Sequence, residues 1–355
     1  VLNKLPTLSL DKTAAVSPRI RVIDARGKFD LEMSENWPEM TVERASLRGN
    51  GDEDPAQRKL ALEKARQECD ALLKEADVIC IGFPYPRDLV ARSPRLKWVH
   101  QTTAGASNLR YGDIWGSSVM TTNSRGNNRT VPIAEYVMAA VLAFSKGLPQ
   151  TFVDKQRRQM DRKDYNPLFV EGKTMCIVGL GGIGREVARL AKAFGMRVLA
   201  TRRSASVRAD GVDGVDTLFP PRNLNVMLEE GDFVAICAQS TPETAKIISE
   251  AQLRAMKTSA HLINVARGEL IDEDALVKAL REGWIAGAML DVYADEFSKP
   301  PRDEFWELPN LVLTPHTSSR VEVPLTQPAD CFYENLRRFV NGEELLNVID
   351  WERGY

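Results

Sequence analysis

The chain has 355 residues, and its 47 basic and 49 acidic side chains give a formal net charge of −2. This near-neutral balance lacks the broad positive field that attracts phosphate backbones, and so it argues against a nucleic-acid-binding protein. Hydrophobic residues at 43% and charged residues at 27% are typical of a globular chain and argue against extensive disorder.

The first third of the chain alternates short apolar runs with one long helical pattern. We predict a helix at Ala56–Lys74 and strands at Arg19–Ile23, Asp77–Ile81, Leu96–His100 and Ser118–Thr121. The charged segment Arg48–Pro55 is predicted to be a surface loop because glycine and proline interrupt it. This pattern indicates an α/β domain.

A second helix, Val131–Lys146, is predicted to lead from this domain into the next one. Its apolar stretch carries Glu135 and Pro132 and is shorter than the roughly 18 uncharged residues of a membrane span. We therefore expect no membrane partner.

From Thr174 onward, β-branched apolar runs alternate regularly with amphipathic stretches. The predicted strands are Thr174–Val178, Arg197–Thr201, Phe233–Cys237, His261–Val265, Ile285–Leu290 and Leu311–Thr314. The predicted helices include Glu186–Phe194, Ser249–Met256 and Glu273–Glu282. Because each parallel return needs a crossover, this alternation predicts a doubly wound α/β domain with helices on both faces of a parallel sheet.

The five cysteines form no C-x-x-C pair, and Cys80, Cys176 and Cys237 lie within apolar runs. Such thiols usually behave as small buried hydrophobic groups, which we favour over a disulfide, a zinc site or a nucleophile. The three histidines are too few for a histidine-rich metal centre. We therefore expect no metal ion and a reducing, cytoplasmic compartment.

A glycine-rich turn, Gly179-Leu-Gly-Gly-Ile-Gly184, joins the first of these strands to a helix predicted to begin near Arg185. In this context G-x-G-x-x-G is typical of dinucleotide binding, and a turn kept for packing alone is the alternative. Gly179 permits the tight turn, Gly181 lets the backbone approach a pyrophosphate, and Gly184 lets the helix pack on the strand. The predicted phosphate-binding residues are Gly179, Gly181, Gly182, Ile183 and Gly184.

The next strand ends in Thr201-Arg-Arg-Ser204. Arg202 stands 18 residues after Gly184, where dinucleotide-binding domains usually place an Asp or Glu that accepts hydrogen bonds from the adenosine ribose. Two guanidinium groups and the hydroxyl of Ser204 suit a phosphate monoester instead, although exposed arginines such as Arg203 could simply solvate the strand end. We expect NADP(H) as the preferred cofactor, with NAD(H) as the second possibility.

Three ionisable residues follow successive later strands: Arg267, Glu296 and His316. Ligands of doubly wound sheets bind beyond the carboxyl ends of the strands. An arginine can bind a carboxylate and polarise a carbonyl, a histidine can transfer a proton near neutral pH, and a carboxylate can orient the imidazole. Each residue alone could be a surface turn or a solvated loop, but their joint placement favours an active site.

Several motifs resemble those of the D-isomer-specific 2-hydroxyacid dehydrogenases. They are the glycine turn, Asn264-Val-Ala-Arg-Gly-Glu269, Leu290-Asp-Val-Tyr293 followed by Glu296, and Thr314-Pro-His-Thr317. The resemblance implies an oxidoreductase that transfers a hydride from a reduced nicotinamide cofactor to a 2-oxo acid to give a D-2-hydroxy acid, and the reverse. The residues Arg202, Arg203 and Ser204 make NADPH the expected donor. It implies that Arg267 binds the substrate and that His316 and Glu296 form the acid–base pair.

The resemblance also implies binding positions around these residues. Those implied at the cofactor are Ala238, Gln239, Val265, Ala266, Arg267, Asp291 and His316. Those implied at the substrate are Phe83, Ala104, Gly105 and Arg267. Phe297 departs from the family pattern, which often has a proline after the catalytic Glu.

By the same resemblance, residues 131–317 form a Rossmann dinucleotide-binding domain, and residues 1–130 with 318–355 form a flavodoxin-like substrate domain. The resemblance implies a homodimer. The alternative function is a dinucleotide-sensing corepressor similar to the C-terminal binding proteins, which share this fold. Such a protein would bind the cofactor with little turnover.

Overall fold

The computed structural model describes residues 1–5, 8–37, 55–126, 130–322 and 327–354. The loop predicted over Arg48–Pro55 lies, apart from its last residue, outside the described residues. The chain divides into two compact units, one of Val1–Asn128 with Val323–Tyr355 and one of Arg129–Glu322.

The first unit is built on a five-stranded parallel sheet. Its strands are β1 (Leu2–Asn3), β2 (Ile23–Asp24), β3 (Val78–Ile81), β4 (Trp98–Gln101) and β5 (Met120–Asn123). Its helices are α1 (Leu10–Ala15), α2 (Asp30–Asn36), α3 (Pro55–Glu75) and, near the C-terminus, α11 (Gln327–Asn341). The strand order β2-β1-β3-β4-β5 is that of flavodoxin-like folds.

The second unit is built on an eight-stranded sheet. Its strands are β6 (Thr174–Val178), β7 (Arg197–Thr201), β8 (Ala209–Asp210), β9 (Thr217–Phe219), β10 (Phe233–Ile236), β11 (His261–Asn264), β12 (Gly287–Leu290) and β13 (Leu311–Leu313). Its helices are α4 (Thr130–Ser145), α5 (Leu148–Arg157), α6 (Gly182–Ala193), α7 (Leu224–Leu228), α8 (Glu250–Ala255), α9 (Glu273–Glu282) and α10 (Asp303–Glu307).

The sheet order is β13-β12-β11-β10-β6-β7-β9-β8, and every neighbouring pair is parallel except the edge pair β8–β9. Reading from β6, the order reverses direction between β6 and β10. This reversal is the switch point at which a doubly wound sheet opens a crevice at its carboxyl edge. The predicted doubly wound fold is confirmed.

Both faces of the second sheet are covered, which explains the continuous apolar runs in the sequence. On β6, Cys176 and Val178 pack into one hydrophobic core, whereas Met175 and Ile177 pack into the other. All five residues of β6 are buried. A strand buried on both faces has no polar positions to alternate with the apolar ones.

The predicted strands of the second unit all form, with ends that shift by no more than two residues. The strand predicted over Arg19–Ile23 is wrong except at Ile23, because β2 begins there. The helix after the glycine turn begins at Gly182 rather than near Arg185, since Gly181 is already the extended N-cap residue. The very short strands β1, β8 and β9 have no local periodicity to predict them.

Within the described part of the chain, no single helix combines the length and apolarity needed to cross a membrane. The helices α4 and α5, which meet at a bend of 59°, pass that length and composition test only as a pair. The apolar residues Val137, Met138 and Val141 of α4 are buried in the core of the second unit.

Candidate active site

The glycine turn after β6 is closely packed at Gly179 and Gly184 and open at Gly181. Gly179 has φ +102, and a Cβ there would lie 2.7 Å from the backbone of Ala238. A Cβ on Gly184 would lie 2.4 Å from the carbonyl oxygen of Gly179, whereas a Cβ on Gly181 would meet nothing within 4 Å. The 12-residue helix α6 begins here with no side-chain cap on its first N–H groups. Uncapped N–H groups at a helix N-terminus favour an anion such as a pyrophosphate.

The end of β7 lies beside this turn. Thr201 accepts hydrogen bonds from the turn, through its carbonyl from the Leu180 N–H (2.8 Å) and through its hydroxyl from the Gly179 N–H (3.3 Å). Arg202 follows directly and is partly buried, whereas Arg203 and Ser204 are exposed. The Arg202 guanidinium pairs with Asp213, 2.6 Å away, a contact that the sequence analysis missed. The predicted phosphate pocket therefore contains a carboxylate.

The turn after β11 is held by a buried amide. Asn264 accepts a hydrogen bond from the Ala266 N–H (3.0 Å) and donates one to the carbonyl of Arg267 (2.8 Å). Val265 and Ala266 are buried, so the backbone of the turn has little freedom. The main chain of Arg267 is thus anchored from within the sheet.

The turn after β13 is held from the neighbouring strand by Asp291, which is completely buried at the end of β12. Its carboxylate accepts hydrogen bonds from the Thr314 hydroxyl (2.7 Å) and from the N–H groups of Thr317 and Ser318 (both 2.9 Å). Its carbonyl accepts one from the His316 N–H (2.9 Å). These four bonds fix the segment that carries the histidine. In this structure Asp291 is a positioning residue.

His316 and Glu296 form the contact around which the site is organised. The Nδ1 atom of His316 lies 3.0 Å from Oε1 of Glu296. The Glu296 side chain is only 8% exposed, whereas that of His316 is 35% exposed. A carboxylate on Nδ1 fixes the ring orientation and directs Nε2 away from the pair.

The neighbouring acidic residues Asp295 and Glu296 have different surroundings. Asp295 has a left-handed backbone (φ 58), and its carboxylate lies 2.9 Å from the Lys299 ammonium group. Its side chain is 53% exposed. Glu296 therefore faces the histidine, while Asp295 shapes the exposed side of the loop.

The Arg267 turn and the loop that carries Glu296 are packed directly on each other. A Cβ on Gly268 would lie 1.9 Å from the carbonyl carbon of Tyr293, so no side chain fits at this position. Glu273, the first residue of α9, accepts a hydrogen bond from the Ala294 N–H (2.7 Å). Burial raises the pKa of Glu273 above its ordinary value. These contacts hold the segments of Arg267 and Glu296 together.

Two aromatic side chains near His316 were not recognised from the sequence as parts of this arrangement. The Phe297 ring lies 6.1 Å from the His316 ring, and the Tyr136 hydroxyl is 3.2 Å from that of Thr317. The sequence signal for the contact between Phe297 and His316 was that Phe297 departs from the family pattern. Nothing local to Tyr136 could have predicted its contact, because 181 residues separate it from Thr317.

The predicted substrate residues of the first unit follow β3 and β4. Gln101, at the end of β4, hydrogen-bonds through its amide nitrogen to the Gly105 carbonyl, and Asn108 donates to the Gln101 side chain (3.1 Å). Ala104 and Gly105 are partly exposed, whereas the hydrogen-bonded residues Gln101 and Asn108 are buried. Phe83 packs edge-on against the buried Trp37, with ring centroids 4.6 Å apart.

The cysteines and the possible metal ligands were the remaining candidates for functional residues. Cys69, Cys80, Cys176 and Cys237 form no disulfide within the described residues, and burial raises the pKa of the Cys237 thiol to about 12. Among the described residues, no group of three or more His, Cys, Asp or Glu is arranged to hold a metal ion. Gln239, which follows Ala238 in the chain, is exposed. The backbone carbonyl of Gln239 accepts a hydrogen bond from the Thr244 hydroxyl (2.6 Å).

The chain is similar to proteins of one known family. The family model for the D-isomer specific 2-hydroxyacid dehydrogenase, NAD binding domain, matches residues 138–318. A glyoxylate reductase of Korarchaeum cryptofilum is 36% identical over 310 residues, covering 85% of this chain and 88% of that protein.

Solved structures of the same family have the same fold. A D-isomer specific 2-hydroxyacid dehydrogenase from Xanthobacter autotrophicus Py2, in complex with NADPH and MES, is 26% identical with a TM-score of 0.71 and covers 100% of this chain and 99% of that one. A family protein from Aeromonas salmonicida is 28% identical with a TM-score of 0.69, covering 90% of this chain and 97% of that one. The chain therefore belongs to the D-isomer specific 2-hydroxyacid dehydrogenase family and is an NAD(P)-dependent oxidoreductase.

Proposed function

We propose that this protein reduces a 2-oxo acid to a D-2-hydroxy acid with NADPH as its preferred cofactor, and catalyses the reverse reaction. The observation that carries the proposal is the 3.0 Å contact between His316 Nδ1 and Glu296 Oε1 at the carboxyl edge of the sheet. A buried carboxylate behind an imidazole is the arrangement expected of a general acid–base catalyst.

In this proposal each residue has a separate task. Arg267 binds the substrate carboxylate and polarises the oxo group, because a guanidinium presents two parallel donors to a carboxylate. His316 donates a proton from Nε2 to the oxo oxygen as that oxygen becomes an alkoxide, and it takes the proton back in the reverse direction. Glu296 keeps Nδ1 protonated and holds the ring in place.

The cofactor would be held by the glycine turn and by the residues at the end of β7. When bound, its dihydronicotinamide ring supplies the hydride that reduces the oxo carbon. The preference for NADPH is supported by Arg202 and Arg203, which stand where an acidic residue would bind an unphosphorylated ribose. The NADPH complex of the similar Xanthobacter autotrophicus protein is consistent with this preference.

The substrate class is supported by the similarity to the glyoxylate reductase of Korarchaeum cryptofilum. Initial rates should be measured for glyoxylate, hydroxypyruvate and phenylpyruvate, each with NADPH and with NADH. We expect turnover of at least one of these acids and a lower KM for NADPH than for NADH. The His316→Ala variant from the same preparation controls for contaminating reductases.

This experiment tests the assigned reaction and the cofactor preference independently of each other. Folded protein that binds the cofactor but turns over none of the acids would contradict the assigned reaction. A lower KM for NADH, with turnover intact, would contradict the cofactor preference and leave the reaction standing.

A further inference from the structure

An acidic side chain lies between two arginines beside the glycine turn. Asp213 belongs to the loop between β8 and β9, and its two carboxylate oxygens face different guanidinium groups. One oxygen lies 2.6 Å from Arg202, and the other accepts a hydrogen bond from Arg185 at 3.1 Å. Asp213 is thus the centre of an Arg–Asp–Arg cluster.

The position of this cluster connects it with the adenosine end of a dinucleotide. Arg202 follows Thr201, which hydrogen-bonds the glycine turn, and Arg185 lies in the first turn of α6. Dinucleotide-binding domains place the group that contacts the ribose 2′ position at this strand end. Asp213 therefore brings a carboxylate, from 11 residues further along the chain, to the place where a 2′-phosphate would be read.

The backbone conformation around Asp213 allows its carboxylate to reach the two arginines. Asp213 has a left-handed conformation (φ 54), and Gly211 and Gly214 on either side have φ 67 and φ 79. Aspartate and asparagine tolerate this region better than most side chains. The sharp turn points the carboxylate back at α6 and at the end of β7.

The charges in the cluster do not balance. One carboxylate faces two guanidinium groups, and they hold the pKa of Asp213 below its ordinary value, chiefly through the hydrogen bond from Arg185. Asp213 is therefore ionised at neutral pH. The Nε atom of Arg202 is buried and has no hydrogen-bond partner among the residues that the structure describes, so the carboxylate does not satisfy all the donors of that guanidinium. A phosphate monoester has more charge and more acceptor oxygens than a carboxylate.

We propose that Asp213 is a specificity-determining residue, an internal anion that occupies Arg202 and Arg185 and competes with the 2′-phosphate of NADP(H) for them. This inference rests on the proposed preference for NADP(H). The phosphate displaces the carboxylate because it satisfies more guanidinium donors, and the lost ion pair lowers the affinity for the phosphorylated cofactor. The carboxylate also repels the phosphate at short range. Asp213 leaves NAD(H) binding unaffected, since that cofactor has no group to compete for the arginines.

The test compares Asp213→Asn with the unmodified protein. Asparagine keeps the size of the side chain and tolerates the left-handed backbone, but it removes the charge. Adenosine 2′,5′-bisphosphate and ADP serve as probes, and calorimetry measures their dissociation constants. We expect Asp213→Asn to bind the bisphosphate about fivefold more tightly, as the loss of a partly exposed ion pair allows, and to bind ADP unchanged.

Two further variants make each result decisive. Asp210→Asn removes the same charge from the end of β8, just before that loop. Asp210 pairs with Arg208 (3.7 Å) and accepts a hydrogen bond from the Thr217 hydroxyl, so bisphosphate binding should not change. Equal or weaker bisphosphate binding by Asp213→Asn, or equal tightening by Asp210→Asn, would overturn the proposal. Arg202→Ala tests the underlying preference: if it does not weaken bisphosphate binding, the NADP(H) assignment fails as well. If it does weaken binding while Asp213→Asn has no effect, only the role of Asp213 is wrong.

Discussion

At the scale of single residues, the backbone of His316 is as important as its ring. His316 has φ 51, a conformation that costs free energy for most side chains, and it is kept there by the bonds that Asp291 makes to the same turn. Strain held in this way is common where a side chain must be aimed. The imidazole is therefore aimed by Asp291 through the main chain and by Glu296 through Nδ1.

Substitutions of this pair should separate chemistry from binding. We expect His316→Ala to lower kcat for 2-oxo acid reduction by at least ~10²-fold, the lower end of what general acid catalysis contributes, with cofactor affinity retained. Glu296→Gln should lower kcat less, because the imidazole remains but loses the carboxylate that keeps Nδ1 protonated. Initial rates and cofactor fluorescence titrations measure the two effects. A near-normal kcat for His316→Ala would move the proton donor to another group.

At the scale of elements, the site depends on a contact between two loops that follow different strands. The loop after β12 carries Glu296, and the turn after β11 carries Arg267. The absence of a side chain at Gly268 lets the two backbones touch. Glu273 then ties α9 to the same loop through the Ala294 N–H. A rigid joint between loops is how residues from separate strands are held in one geometry.

Two glycine substitutions distinguish this joint from the cofactor turn. Gly268→Ala should lower the free energy of unfolding by roughly 1–3 kcal/mol, as overpacking usually does, because its Cβ would overlap the Tyr293 carbonyl carbon. Gly181→Ala should leave stability nearly unchanged, since its Cβ meets nothing within 4 Å, but should weaken cofactor binding. Melting temperatures and cofactor dissociation constants measure both. Equal melting temperatures for the two variants would show that the loops separate without cost.

At the scale of the whole molecule, buried histidines make stability depend on pH. His100 is fully buried, its Nδ1 lies 2.8 Å from the Thr122 hydroxyl, and its Nε2 lies 3.1 Å from the Ser124 hydroxyl. Burial lowers the pKa of His100 from 6.5 to about 3. In the unfolded chain the His100 side chain therefore binds a proton below pH 6.5, whereas in the folded chain it stays neutral down to about pH 3.

The contribution of neutral His100 to the free energy of unfolding is therefore fully present above pH 6.5. It is lost as the pH falls towards 3, by at most ~1.4 kcal/mol per pH unit. We expect the melting temperature of the protein to drop between pH 7 and pH 5. The drop should be smaller in His100→Gln, which has no such proton to bind, whatever its stability at pH 7. Calorimetry at the two pH values measures this, and equal drops would show that other groups control the acid sensitivity.

Much of the fold was predictable because its signals are local. The central strands of the second unit, such as β6 and β10, are buried on both faces and therefore appear as apolar runs. The glycine turn has a spacing that few other structures need. The family assignment is confirmed by the family model that matches residues 138–318 and by the similar glyoxylate reductase. The short strands β1, β8 and β9 were missed because two or three residues show no period.

The candidate site was predictable as a set of residues but not as a set of contacts. Arg267, Glu296 and His316 could be selected because each follows a strand of one parallel sheet. Their roles, the substrate residues of the first unit and the homodimer stay predictions. The hydrogen bonds that hold the site, from Asn264, Asp291 and Glu273, depend on which strands are neighbours.

The amino-acid sequence by itself determined the parallel α/β architecture, the dinucleotide turn and the identity of the acid–base candidates, because periodicity and glycine spacing act over a few residues. Tertiary structure alone decided the contacts: Glu296 lies against His316 while Asp295 pairs with Lys299, and Asp213 pairs with Arg202. These choices depend on left-handed turns at Asp295, His316 and Asp213, and on contacts between segments far apart in the chain. No local pattern encodes where such turns point a side chain, since packing against the rest of the sheet sets their direction.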